Sequence, residues 1–104
     1  MVLAPEFLCS DALKALADPT RLDICRRLAS EELCVCHLVE DMGVSQPLLS
    51  HHLKVLREAG LVAQRRHSYW TYYRLHKEAF AALGDQMRLL GDRACGPGEC
   101  RDCS

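Results

Sequence analysis

No stretch of this 104-residue sequence is apolar for long enough to cross a bilayer. Its opening, Met1-Val2-Leu3-Ala4-Pro5-Glu6-Phe7, has neither the basic nor the apolar region of an export signal. Those two absences predict a cytoplasmic protein with no membrane partner. Catalytic signatures are missing too. There is no phosphate-binding loop and no dinucleotide fingerprint. Ser50-His51 is not a triad fragment, because helical neighbours point apart and no nucleophile elbow surrounds the serine. The expectation is a protein that is not an enzyme. No internal repeat occurs, and the length suits one domain whose modest core a second subunit would enlarge.

What the chain does have is cysteine. Seven occur in an otherwise ordinary composition of 49% apolar and 26% charged residues. A secreted protein with a disulfide framework would carry an even number and an export signal. In a reducing cytosol, clustered thiols point instead to metal binding or redox chemistry. Cys9 and Cys25 stand alone, Cys34 and Cys36 form a pair, and Cys95, Cys100 and Cys103 crowd the tail. Cys25 follows Ile24 and precedes Leu28 on an apolar helical face, which reads as a buried, inert thiol.

The net charge of −1 hides a pattern. From Ser45 to Arg74 the chain carries Lys54, Arg57, Arg65, Arg66 and Arg74 against Glu58 alone. Just before it lie Glu31, Glu32, Glu40 and Asp41 with no lysine or arginine. Basic charge confined to one segment is the footprint of nucleic-acid contact.

Helical spacing runs from Phe7 to Ala17 through Leu8, Ala12, Leu13 and Leu16. Asp18-Pro19-Thr20-Arg21 reads as a stop and restart, with Asp18 as cap and proline at the first helical position. A second helix reaches about Ala29, and Ser30-Glu31-Glu32-Leu33 connects it to a third over Val35 to Met42. Gly43 ends that helix in a left-handed conformation. Ser45 caps a fourth, polar-faced helix that closes at Gly60. A short helix, a glycine-containing turn and a longer polar-faced helix make a helix-turn-helix. Leu61 to Arg66 and Trp70 to Leu75 flank the polar turn His67-Ser68-Tyr69 as a hairpin. Spacing from His76 to Leu90 is helical again, and from Gly91 onward it is lost. The division is therefore residues 1–91, a helix-turn-helix DNA-binding domain to which the resemblance given below adds dimerisation, and 92–104, a flexible cysteine-rich tail.

Four helices, a hairpin wing and a last helix resemble the winged helix-turn-helix repressors of the ArsR/SmtB family, most of all its arsenical-responsive branch. The resemblance spans about residues 8 to 90 and rests on particular motifs. Leu16-Ala17-Asp18-Pro19-Thr20-Arg21-Leu22 is similar to the early helix junction. Glu32-Leu33-Cys34-Val35-Cys36-His37-Leu38 is similar to the metal box, and Ser45-Gln46-Pro47 through Gly60-Leu61-Val62 to the recognition helix. Tyr72-Tyr73-Arg74-Leu75 is similar to the second wing strand. The fold class implied is mainly α with a small β-hairpin wing, as a homodimer formed by the first and last helices on palindromic operator DNA. There are departures. His37 stands where arsenical members often have aspartate, Val39 where some have a third cysteine, and His67-Ser68 where the wing tip usually has glycine. A looser turn is expected there.

In a helix-turn-helix the start of the second helix meets base edges in the major groove. Gln46 and Ser50 are candidate base readers, Gln46 first because its amide pairs bidentately with adenine. His51 can meet base or phosphate, and Lys54, Arg65 and Arg66 are candidate phosphate contacts. His52, beside Leu53 and Leu56, can equally pack inward.

Cys34 and Cys36 sit at a helix start, where dipole and free amides favour thiolate. Residues two apart do not share a helical face, so joint chelation calls for an unwound or distorted first turn. In the tail, glycines let Cys95, Cys100 and Cys103 converge on one ion. Three thiols without histidine suit trivalent arsenic or antimony rather than four-coordinate zinc. A mixed site completed by Cys9 or a tail cysteine across a dimer is also open. The family's other metal site, along the last helix, lacks its ligands, since His76 to Arg93 contains one histidine and no His-x-x-His.

The sequence thus predicts a repressor that releases its operator on binding trivalent arsenic or antimony, with no catalytic cofactor. Three alternatives stay open: a cadmium or lead sensor of the same fold, a thiol redox or persulfide switch, and a zinc-binding structural or interaction domain without an operator.

Overall fold

The computed structural model describes residues 5–98 and 101. It contains α1 (Pro5–Leu16), α2 (Pro19–Leu28), β1 (Leu33–Cys34), α3 (Val35–Met42), α4 (Gln46–Glu58), β2 (Val62–His67), β3 (Trp70–Leu75) and α5 (Lys77–Arg93). The helix boundaries follow local chemistry. Asp18 Oδ2 accepts from the Arg21 N–H at 3.0 Å, and Pro19 opens α2 where its missing N–H costs nothing. Gly43, at φ 67°, ends α3 with its N–H on Val39 O. Ser45 is the N-cap residue of α4, but its hydroxyl makes no cap bond, so backbone conformation alone starts that helix.

The sheet is larger than the expected hairpin. Leu33 and Cys34, read as connection and helix start, form a third antiparallel strand on β3, pairing Leu33 with Tyr73 and Cys34 with Tyr72. The strand order is β1-β3-β2. Two residues are too few to show a period of two, and only the partner strand makes them a strand. The wing tip is also tighter than expected. His67 pairs with Trp70 across a two-residue turn, and Ser68 takes φ 58° where glycine would normally serve.

The core lies between α2, α3, α4 and the base of the wing, where Ile24, Leu38, Leu49, Leu53, Leu56 and Leu61 lose essentially all contact with water. His52 packs inward with them. The last helix begins after His76, whose Nδ1 caps the Ala79 N–H, and it runs through Gly91 to Arg93 rather than stopping at the glycine. Among the described residues, α5 buries none completely. Leu13 on α1 and Met87, Leu89 and Leu90 on α5 are exposed. The radius of gyration is 17.3 Å, against about 13 Å for a compact chain of this length. No helix among the described residues is long and apolar enough to cross a membrane.

Candidate thiol site and DNA-facing surface

The short strand β1 shapes the thiol site. Its pairing with β3 holds Cys34 extended, at φ −89° and ψ 165°, so that Cys34 is the N-cap of α3 and Cys36 lies in the first turn. An extended cap residue swings its side chain over the turn that follows. The two sulfurs therefore meet, joined as a disulfide with the Cα atoms 5.4 Å apart, within the usual span for such a bridge. The sulfurs meet because Cys34 stands extended ahead of α3 and not within a regular helical turn.

A third group joins them. The Cys34 N–H donates to His37 Nδ1 at 3.4 Å, and the same nitrogen lies 3.2 Å from Cys34 Sγ. The ligand atoms of Cys34, Cys36 and His37 all fall within 4.8 Å of one another. Cys34 is buried, while Cys36 and His37 are open to solvent. Sequence reasoning passed over His37 as a departure from the family pattern. The signal was its spacing: three residues after the N-cap is where a side chain reaches back to the cap's N–H.

Cys34, Val35, Cys36, Gln46, Trp70 and Thr71 line a pocket of about 310 Å³. It lies where the starts of α3 and α4 meet the first residues of β3. Gln46, the expected base reader, thus borders the same space as the thiols.

The other cysteines divide. Cys25 is buried, and burial pushes its thiol up to about 11, as suits an inert core residue. Cys95 follows α5, exposed and unbridged. Cys100 and Cys103 lie outside the described residues, and Cys9 lies in α1.

Along α4, Gln46, Ser50, His51 and Lys54 are all exposed, as a groove-facing surface requires. Arg66 is exposed on the wing, but Arg65 is engaged. Its Nη2 donates to Glu32 Oε1 at 2.8 Å and its Nε to Glu32 Oε2 at 3.3 Å, and its guanidinium lies 5.1 Å from the Tyr72 ring centre. The hydrogen bond from Arg65 holds the Glu32 carboxyl below its ordinary pKa, against an opposing effect of desolvation. Arg57 donates to Gln64 Oε1 at 2.9 Å and ties α4 to the wing. Under α4, Arg21 donates through Nε to Ala15 O at 2.6 Å and through Nη1 to His52 Nδ1 at 3.2 Å. Burial lowers the His52 pKa, countered by Asp18 and reinforced by Arg21 and His51. Neither Arg21 nor the Glu32–Arg65 pair stood out in the sequence.

A helix-turn-helix with a wing at its side and a thiol cluster at the foot of its first helix defines a thiol-bearing, winged-helix class of protein. Comparison narrows the class. Residues 18–64 match the family model described as bacterial regulatory protein, arsR family. The arsenical resistance operon repressor of Staphylococcus xylosus is 37% identical over 98 residues, 88% of this chain and 94% of that one. The arsenic resistance transcriptional regulator ArsR1 of Pseudomonas putida is 52% identical over 66 residues, 62% of this chain, and the match spans about half (52%) of that protein. The homodimeric winged helix-turn-helix DNA-binding domain from Mycobacterium bovis, solved in solution, superposes with TM-score 0.70 at 31% identity, covering 84% of this chain and 81% of that one. The chain belongs to the arsR family of bacterial regulatory proteins.

Proposed function

We propose that this protein is a cytoplasmic, dimeric repressor that binds operator DNA through α4 and the wing and releases it when trivalent arsenic binds Cys34 and Cys36. The observation that carries the reading is the shared pocket: both thiols and Gln46 line it, with the first residues of β3 as its far wall. A ligand held by the sulfurs lies against the start of the base-reading helix and the tip end of the wing's second strand together. A soft, trivalent ion is the natural guest of adjacent thiolates, and the relatives named for arsenic resistance support that choice. In this reading Gln46 and Ser50 meet bases, His51 meets base or backbone, and Lys54 and Arg66 neutralise phosphate. The exposed leucines and Met87 on α1 and α5 supply the dimer interface. Antimony, which shares arsenic's valence and softness, is expected to act as well, and Cys95, Cys100 and Cys103 would form a second, auxiliary thiol site.

The test is a gel shift on an operator selected from a random duplex pool. With Cys34 and Cys36 both changed to serine, operator binding should persist and release by arsenite should vanish. Release that survives in the double variant moves the switch to the tail cysteines. One observation favours a second reading, in which oxidation replaces arsenic: the bridge between Cys34 and Cys36. There, release would follow an oxidant without arsenic and be reversed by a thiol reductant.

A further inference from the structure

We infer that Leu48 is a further specificity-determining residue of the operator complex, one that recognises the C5-methyl group of a thymine in the major groove. This rests on the reading of α4 as the helix that enters that groove, and it adds an apolar contact to the polar base readers placed there.

The exposure pattern of α4 carries the inference. Leu49, His52, Leu53 and Leu56 form the buried side of the helix. From Ser50 onward every exposed side chain is polar or charged, namely Ser50, His51, Lys54, Arg57 and Glu58. Only the first turn departs from this, with Pro47 and Leu48 both open to water. Pro47 has a local reason to be there, since proline in a first turn sacrifices no hydrogen bond. Leu48 has none. It is 49% exposed, and lysine or glutamine would favour the helix about as well without putting apolar surface into water.

What covers Leu48 follows from where it sits. Leu13, Met87, Leu89 and Leu90, also exposed, lie on α1 and α5, the helices proposed to dimerise. Leu48 lies instead two residues after Gln46, and one turn before His51 on the same side of α4. The first turn of the second helix is the part of a helix-turn-helix that meets base edges. The surface facing Leu48 in the complex is therefore DNA.

Chemistry then names the target. Leucine has neither donor nor acceptor, and among the groups that bases present in the major groove the thymine methyl is the apolar one. Set against the cytosine amine or a purine edge, the same side chain would take water from a polar group and give it no partner. Leu48 thus favours thymine by contact and disfavours the other bases by desolvation. It supplies no charge, so this preference is independent of salt.

The test uses the full chain and an operator selected from a random duplex pool. Each thymine of the selected half-sites is replaced in turn by deoxyuridine, which deletes the methyl group and keeps the base pair. Fluorescence anisotropy reads the affinity. At one thymine position the replacement should weaken wild-type binding about fourfold per half-site, and about fifteenfold when made in both, as expected for one buried methyl group each. Leu48→Ala should bind the thymine duplex more weakly by at least as much and be indifferent to deoxyuridine there. Its salt slope and circular dichroism should match the wild type. Leu48→Met, which restores apolar reach, should recover sensitivity to the methyl group. Selection repeated with Leu48→Ala should lose the thymine preference at that position. The inference is overturned if no deoxyuridine weakens wild-type binding, or if Leu48→Ala keeps the full deoxyuridine penalty. Gln46→Ala separates this failure from that of the wider reading. If it weakens binding and Leu48→Ala does not, α4 still reads bases and Leu48 does not. If neither variant weakens binding, α4 is not the reading helix and both readings fall.

Discussion

Breaking the Glu32–Arg65 pair should change how strongly salt opposes operator binding, and by an amount the structure sets. Each phosphate neutralised by a cation contributes about −0.9 to the slope of log affinity against log salt. On the α4 and wing surface, Lys54 and Arg66 are exposed without a side-chain partner among the described residues. Arg65 is held differently, by both oxygens of Glu32 and by the face of Tyr72. A bidentate carboxylate already neutralises its guanidinium, so it should release no counterion of its own. Two protomers then present four effective cations, for a slope of about −3.6. Glu32→Gln frees Arg65 on each protomer and should steepen the slope by about 1.8, with a few-fold tighter binding at low salt. Arg66→Ala should flatten it by the same amount, and Arg65→Ala should leave it nearly unchanged. Fluorescence anisotropy of a labelled operator duplex across a salt series measures all four proteins. If Arg65→Ala flattens the slope as much as Arg66→Ala does, Arg65 abandons Glu32 for phosphate in the complex and the reasoning fails.

Two further outcomes concern stability. Burial lowers the His52 pKa below 6.5, so the unfolded chain takes up this proton first. The associated stability is complete above about pH 6.5 and is lost as pH falls through the lower, folded value; His52→Asn, which keeps an acceptor for Arg21, should remove that step from melting temperatures measured between pH 7.5 and pH 5, whereas an unchanged step would assign it elsewhere. Ser68 sits at φ 58°, a left-handed conformation that costs an L-residue with a side chain roughly 1–2 kcal/mol. Ser68→Gly gives part of that back as unfolded-state entropy, for a net gain of about 0.5–1 kcal/mol and a rise of roughly 2–8 °C in Tm; a fall in Tm would show that the turn needs the serine.

What could be read from the sequence was what local chemistry decides. The bounds of α3 followed from Gly43 and the apolar spacing before it, and those of α2 from Asp18-Pro19. The inward turn of His52 agrees with one of the two readings its neighbours Leu53 and Leu56 allow. What was hidden depended on partners far along the chain. Arg65 meets Glu32 across 33 residues, and β1 exists only because Tyr72 and Tyr73 lie alongside it. Without that pairing, Cys34 reads as part of a helix start whose sulfur diverges from that of Cys36. His37 is the exception, since its contact with Cys34 spans three residues and obeys a known capping pattern. Against a family pattern with aspartate at this position, His37 reads as a departure and not as a capping residue.

The position of Cys34 also bears on how a ligand can move DNA affinity without unfolding anything. One residue pairs with Tyr72 of the wing, caps α3, meets Cys36 and borders Gln46 across the pocket. A ligand on the Cys34 sulfur competes with the cap that this residue gives the first turn of α3. Losing such a cap costs a helix about 0.5–2 kcal/mol. Over two protomers that is about 1–4 kcal/mol, or between about fivefold and several hundredfold in an equilibrium. Allosteric couplings commonly span about 1–3 kcal/mol. Cap loss at α3 is therefore large enough to carry the whole response, provided the operator complex needs the first turn of α3 intact. Reciprocity then demands that operator DNA, by holding that turn, weaken ligand binding by the same factor. An unwinding mechanism would have to melt more of an eight-residue helix to reach the same result.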